Sequence, residues 1–96
     1  MADFTVVEGN LTKPVGPQGG EWIVPVKGVG RPMPVLPLPM IHYFITVLLD
    51  HARRNPDDCF KVTVIGCKGT GYKPAQIAPM FNYAPYNVAL PYEFIY

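Results

Sequence analysis

The sequence predicts a small α/β domain with a partly parallel sheet of about four strands, in the chain order β-β-α-β-α-β. Three observations carry that prediction. Phe60, Val62 and Val64 alternate with Lys61, Thr63 and Ile65, the two-residue period of a strand rich in β-branched side chains. Leu38, Ile41, Phe44, Ile45, Leu48 and Ala52 recur at three- and four-residue steps, the period of one long helix. A shorter helix over 74–81 separates the 60–65 strand from a last strand at 86–90. Those two strands are therefore expected to pair in parallel through a right-handed crossover.

The other elements follow in order. Residues 1–8 form a first strand, where Phe4 and Val6 alternate with Thr5 and Val7, and Gly9 and Asn10 end it. Residues 10–20 form a loop, because Pro14, Gly16, Pro17, Gly19 and Gly20 exclude regular structure; it is a connector or a lid. Residues 21–27 form a second strand with Trp22, Val24 and Val26 on one face, and Pro25 inside it argues for an edge strand or a bulge. Trp22 reads as core, or else as an aromatic surface on which a base stacks. Residues 28–37 form a proline-rich, extended loop whose one charge is Arg31, either a fork for a phosphate or a solvated surface residue. The long helix runs over 38–55. His42, Thr46, Asp50 and Arg53 make its polar stripe, Val47 and Leu49 widen its apolar band, and Asn55-Pro56 stops it. His42 and His51 read as surface residues. Residues 82–85 make a turn, and the aromatic tail 91–96 docks either on its own sheet or on a partner chain.

The candidate site is the glycine-rich segment after the 60–65 strand. Gly66, Gly69 and Gly71 permit backbone conformations that a side chain would forbid. Pro74 suits the first turn of the helix that follows, and Pro79 weakens its far end. Such a turn presents free N–H groups at the carboxyl end of a strand, where ligands of α/β sheets bind, and it suits phosphate or carboxylate. Lys68 and Lys73 add positive charge on either side. The spacing G-x-x-G-x-G is neither a phosphate-loop motif nor the dinucleotide fingerprint, so a tight turn that binds nothing is the competing reading. The candidate ligand-binding residues are Gly66, Cys67, Lys68, Gly69, Thr70, Gly71, Tyr72 and Lys73, with Trp22 and Arg31 from the earlier segments. Cys67 is either a thiolate activated by the helix end and Lys68 or a small side chain packing the turn.

Ile65-Gly66-Cys67, Gly71-Tyr72, the Ile77–Phe81 run and Asn87-Val88-Ala89-Leu90-Pro91 resemble the C-terminal half of a family found in bacteria and their phages. Its pattern is I-G-C-G-x-A-G-[YF], then I-A-P-[LM]-F, then N-V-x-L-P. Residues 21–27 resemble its S-x-x-I-P-x-K segment, and the likeness covers about residues 21–94. That family is similar to macro domains, which bind ADP-ribose and related nucleotides. The resemblance implies a macro-like, Rossmann-like fragment holding a nucleotide-like ligand. For a phage-encoded chain it implies a protein that sequesters a host nucleotide signal, an anti-defence role in the host cytoplasm. Longer members begin with a strand and an F-G-S-N loop that this chain lacks, so part of their pocket is missing or comes from another subunit. Lys68 and Thr70 stand where the pattern has small or apolar residues.

Composition bounds the reading. Ninety-six residues make one domain, 1–96. A domain this small buries only about two-thirds of its unfolded surface. With 49% hydrophobic and 16% charged residues, it reads as a homo-oligomer. A net charge of +1 leaves no nucleic-acid footprint. No long apolar run or leader pattern is present, so a cytoplasmic location is expected and no membrane partner. Cys59 and Cys67, eight positions apart, would lie roughly 25 Å apart on one strand and are not expected to pair. No metal and no cofactor are expected. Non-catalytic binding of a small anion comes first among the functions. A protein-interaction or structural oligomeric module is the alternative, favoured by the prolines and aromatics. An ADP-ribose-type hydrolase comes third, since no Asp or Glu lies between Asp58 and Glu93 to serve as a general base.

Overall fold

The computed structural model describes residues 2–95. Met1, the first residue of the expected opening strand, and Tyr96, the last of the aromatic tail, lie outside the described residues. The strands are β1 Asp3–Asn10, β2 Gly16–Gln18, β3 Glu21–Lys27, β4 Cys59–Val62 and β5 Val88–Ala89. They form one sheet in the spatial order β2-β3-β1-β4-β5. β1 pairs in parallel with β3 and with β4, β4 pairs in parallel with β5, and β2 runs antiparallel along β3. The helices are α1 Leu38–Arg54, α2 Pro74–Ile77, continued by a 3-10 turn at Ala78–Phe81, and α3 Tyr92–Ile95. The expected α/β class and the parallel pairing of the last two strands are therefore present.

Several boundaries differ from expectation, each for a local reason. The 10–20 segment is not all loop. Gly19-Gly20 is a two-residue connection, and it folds β2 back onto β3 with Gln18 opposite Glu21. β4 stops at Val62 rather than running to Ile65. Both the N–H and the hydroxyl of Thr63 donate to the Val6 carbonyl, at 3.2 and 2.6 Å, and the Ile65 N–H turns back to the Thr63 carbonyl at 2.8 Å. The chain thus leaves the ladder before the glycines begin. β5 is only two residues long, with Pro85 and Pro91 on either side. Pro25 lies in an inner strand. Gly9 pairs with Pro25 and Asn10 with Lys27, so Val26 is the extra residue of a bulge, the second of the two expectations for that proline.

The core lies between α1 and the sheet. Ile41, Ile45, Leu48, Leu49 and Ala52 are buried on α1, as the three- and four-residue spacing requires, and they meet Val6, Trp22, Val24, Val26, Phe60 and Val62. Each large aliphatic group so buried contributes roughly 2 kcal/mol of transfer free energy. His42, Thr46, Asp50 and Arg53 are exposed, as expected. His51 is not a surface residue. Its ring is half-buried, with its centroid 4.6 Å from that of Trp22 and 5.8 Å from that of Phe60. β3 is buried on both faces, since Ile23 and Pro25 are covered as well as Trp22, Val24 and Val26. The tail docks on its own chain, through Phe94 stacked on Phe81 with centroids 5.5 Å apart. No helix among the described residues is long and apolar enough to cross a membrane.

One buried polar side chain ties these layers together. The carboxamide of Asn87 donates to the carbonyls of Ala52, Asn55 and Asp58, at 2.9, 3.1 and 2.9 Å. Ala52 lies in the last turn of α1, and its carbonyl also accepts from Asn55 N–H at 3.2 Å, so the carboxamide adds a second donor at the helix end and ties it to the 55–58 turn. The Asn87 carbonyl in turn accepts from Phe60 N–H at 2.9 Å, so the residue fastens the helix end to β4 and β5 together. Asn87→Ala leaves three carbonyls without that donor. We expect a loss of about 2–4 kcal/mol in urea unfolding, and a loss below about 1 kcal/mol would show the cap to be dispensable.

Candidate functional site

The 66–73 segment leaves the sheet at the carboxyl end of β4, the end from which the proline-rich loop after β3 also departs. A hydrogen-bonded turn at Ile65–Gly66 starts it. Gly66, Gly69 and Gly71 have φ of 78°, 70° and 83°. The requirement is strictest at Gly66, where a Cβ would also stand 3.1 Å from Ile77 Cδ1. Above Gly71 there is open space.

Side chains hold the segment's ends. The Thr70 hydroxyl donates to the Gly66 carbonyl and accepts from Tyr72 N–H at 3.1 Å. The Tyr72 hydroxyl donates to the Leu36 carbonyl at 2.8 Å, fastening the turn to the proline-rich loop. Thr70 and Tyr72 therefore close and anchor the turn with their side chains. Between these fasteners, the N–H groups of Lys68, Gly69, Thr70 and Gly71 donate to no protein acceptor among the described residues.

The helix end contributes less than expected. α2 is a single turn, and the Lys73 N–H already donates to Gln76 Oε1 at 2.8 Å while Gln76 N–H returns to the Lys73 carbonyl at 2.8 Å. So short and internally capped an end offers little dipole to a guest. Trp22 does not join the site. It is 3% exposed, near the start of β3, with Phe4, His51 and Phe60 around its ring. Of its two readings, core is the one realised. Arg31 is exposed in the loop after β3 and makes no hydrogen bond or ion pair among the described residues. Lys68 and Lys73 are exposed on either side of the turn.

Three residues that the sequence reading passed over reach the turn. Lys27, at the end of β3, places its Nζ 3.2 Å from the position a Cβ on Gly69 would take. Glu8 and Glu93 lie close enough to act on Cys67. Burial pushes the Cys67 thiol above its ordinary pKa, and the charges of Glu8 and Glu93 push it further the same way. Both effects oppose an activated thiolate, and the Cys67 Sγ lies 3.6 Å from the Ile65 carbonyl, packing the turn. The sequence did hold one signal for Lys27, a lone charge at the carboxyl end of a buried apolar strand. It held none for Glu8 and Glu93, which lie in other elements. No cavity opens among the described residues. Comparison with known proteins adds no relative, since no family model, curated protein or solved structure matches the chain.

Cys59 is exposed and Cys67 half-buried, and neither is in a disulfide. A thiol reagent at pH 8 is expected to modify the Cys67→Ser protein, through Cys59, at least several-fold faster than the Cys59→Ser protein, through Cys67. The Cys67 rate should climb only above the ordinary thiol range, because the raised pKa keeps its proton on. Equal rates at pH 8 would contradict that shift. Gly66→Ala should lower stability by about 1–3 kcal/mol through strain and contact with Ile77, and more than Gly71→Ala does; thermal unfolding of the pair compares them.

Proposed function

We propose that this chain binds a small phosphate-bearing ligand, nucleotide or ADP-ribose-like, at the 66–73 turn without transforming it. The observation that carries this reading is the run of N–H groups from Lys68 to Gly71 that meet no protein acceptor among the described residues. Consecutive amides held by a closed turn make an anion-binding concavity. Lys68 and Lys73 flank them, and Lys27 stands over Gly69. The nucleotide-like class rests on the resemblance of about residues 21–94 to the macro-like family pattern. A protonated Cys67 thiol favours binding over nucleophilic chemistry. A binder of this kind acts by sequestering its ligand.

A second reading, a homo-oligomeric interaction module, is favoured by apolar exposure. Tyr83 and Tyr86 are 84% and 86% exposed, and Tyr43, Tyr92 and Ile95 are exposed as well. Aromatic side chains of this kind are enriched at protein interfaces. Sedimentation equilibrium tests it, and a monomer at high micromolar concentration would remove it.

The first reading is tested by thermal shift with ADP-ribose, cyclic dinucleotides and mononucleotides. A ligand at about a hundred times its Kd adds roughly 2.7 kcal/mol, which raises Tm by roughly ten degrees or more in a domain this size. Lys68→Glu sets a carboxylate beside the turn and should abolish the shift while leaving the ligand-free Tm in place. No shift with any ligand would sink the binding reading.

A further inference from the structure

We infer that two copies of this chain meet through the sheet face turned away from α1, about a twofold axis that runs along β1. This rests on the homo-oligomeric reading above and names its surface. One row of residues crosses all five strands. Gln18 lies opposite Glu21, Glu21 opposite Thr5, Thr5 opposite Lys61, and Lys61 opposite Ala89. Successive side chains of a strand point to opposite faces. The sequence neighbours of this row, Val6, Trp22, Phe60, Val62 and Val88, all belong to the core that α1 shares. The row therefore faces the other way. Gln18, Glu21, Lys61 and Ala89 are exposed there, and Thr5 is half-buried. The side chains of Glu21 and Lys61 make no ion pair or hydrogen bond among the described residues.

The order of charge along the row is self-complementary. Glu21 lies one strand to one side of Thr5 and Lys61 one strand to the other, each about 4.8 Å away. A twofold axis parallel to the strands and over Thr5 exchanges these two sides. It sets Lys61 of each copy over the partner's Glu21, so the contact is made twice, with Thr5 facing Thr5. A twofold axis across the strands would set Lys61 over Lys61 and Glu21 over Glu21, so charge selects the first arrangement. The two sheets then meet with their strands aligned, one of the two ways in which sheet faces pack. Asp3 also lies on this face, exposed beside Cys59 in the next row, at the open rim. It stands on the axis and meets the partner's Asp3, which opposes the pair. Lys13 nears the face only at its other end, beside Gly9. Exposed ion pairs are individually weak and are screened by salt. The dimer is therefore expected to form at micromolar concentration and to loosen as salt rises.

Sedimentation equilibrium of the full chain tests this with two charge reversals. Lys61→Glu and Glu21→Lys, each alone, should weaken self-association at least tenfold, because each turns both cross-pairs into like charges. An equimolar mixture of the two variants should regain association close to wild type, because both cross-pairs of a mixed dimer are again of opposite sign. Asp3→Asn should tighten the dimer several-fold. Tm of the dilute variants reports on folding, and Lys61→Gln, which should weaken association several-fold, replaces a reversal that fails to fold. A wild-type chain that stays monomeric at high micromolar concentration overturns the inference together with the homo-oligomeric reading. A dimer that both reversals leave within twofold of wild type overturns this face and keeps the oligomer. Two weakened variants that do not associate when mixed overturn the axis.

Discussion

β1 pairs in parallel with both of its neighbours, and the rest of the molecule follows from that arrangement. Parallel neighbours cannot be joined by a tight turn, so the chain must first return to the starting end, and antiparallel β2 makes that return between β1 and β3. α1 makes the crossing from β3 to β4, and the short helical segment 74–81 makes the one from β4 to β5. The carboxyl ends of β3 and β4 thereby lie at the same end of the sheet, on either side of β1. The loops that leave them meet there, with the Tyr72 hydroxyl on the Leu36 carbonyl and the Lys27 ammonium beside Gly69. Sites in α/β sheets collect at this end because the chain reversals gather there.

The turn is held by its own side chains. Thr70 spans from the Gly66 carbonyl to the Tyr72 amide, and positive φ at Gly66, Gly69 and Gly71 bends the segment between those anchors. The amides from Lys68 to Gly71 donate to no protein acceptor among the described residues. The helix that follows is a different matter. It spends its first amide on Gln76.

Packing explains how so small a sheet is held. Phe4, Trp22, His51 and Phe60 form an aromatic group where α1 crosses β3 and β4. The indole N–H of Trp22 is buried there without a partner among the described residues, at a cost of about 1–3 kcal/mol that the ring's own burial offsets. His51 looked like a surface residue because it sits at the edge of the helix's apolar band. The size of the Trp22 ring beneath it extends that band and draws the imidazole in. Asn87 fixes the far end of the helix by joining the carbonyl of Ala52 to those of Asn55 and Asp58 in the turn that follows.

Whatever depends on neighbours in the chain could be read before folding. The α1 stripe, the strand character of residues 21–27 and 59–62, and the glycine turn at 66–71 all stand where periodicity and backbone freedom require them. The Gly19-Gly20 hairpin was readable too, as a glycine pair between two extended runs, but the surrounding prolines masked it. Contacts between distant segments were not readable. Lys27 near Gly69 and Asn87 across the helix end arise from strand order and register, and no local pattern encodes these. Local dihedral preference and apolar spacing determine which elements form. Which side chains share a site is decided by the parallel pairing of β3 and β4 on β1, because burial of the common apolar face sets their order.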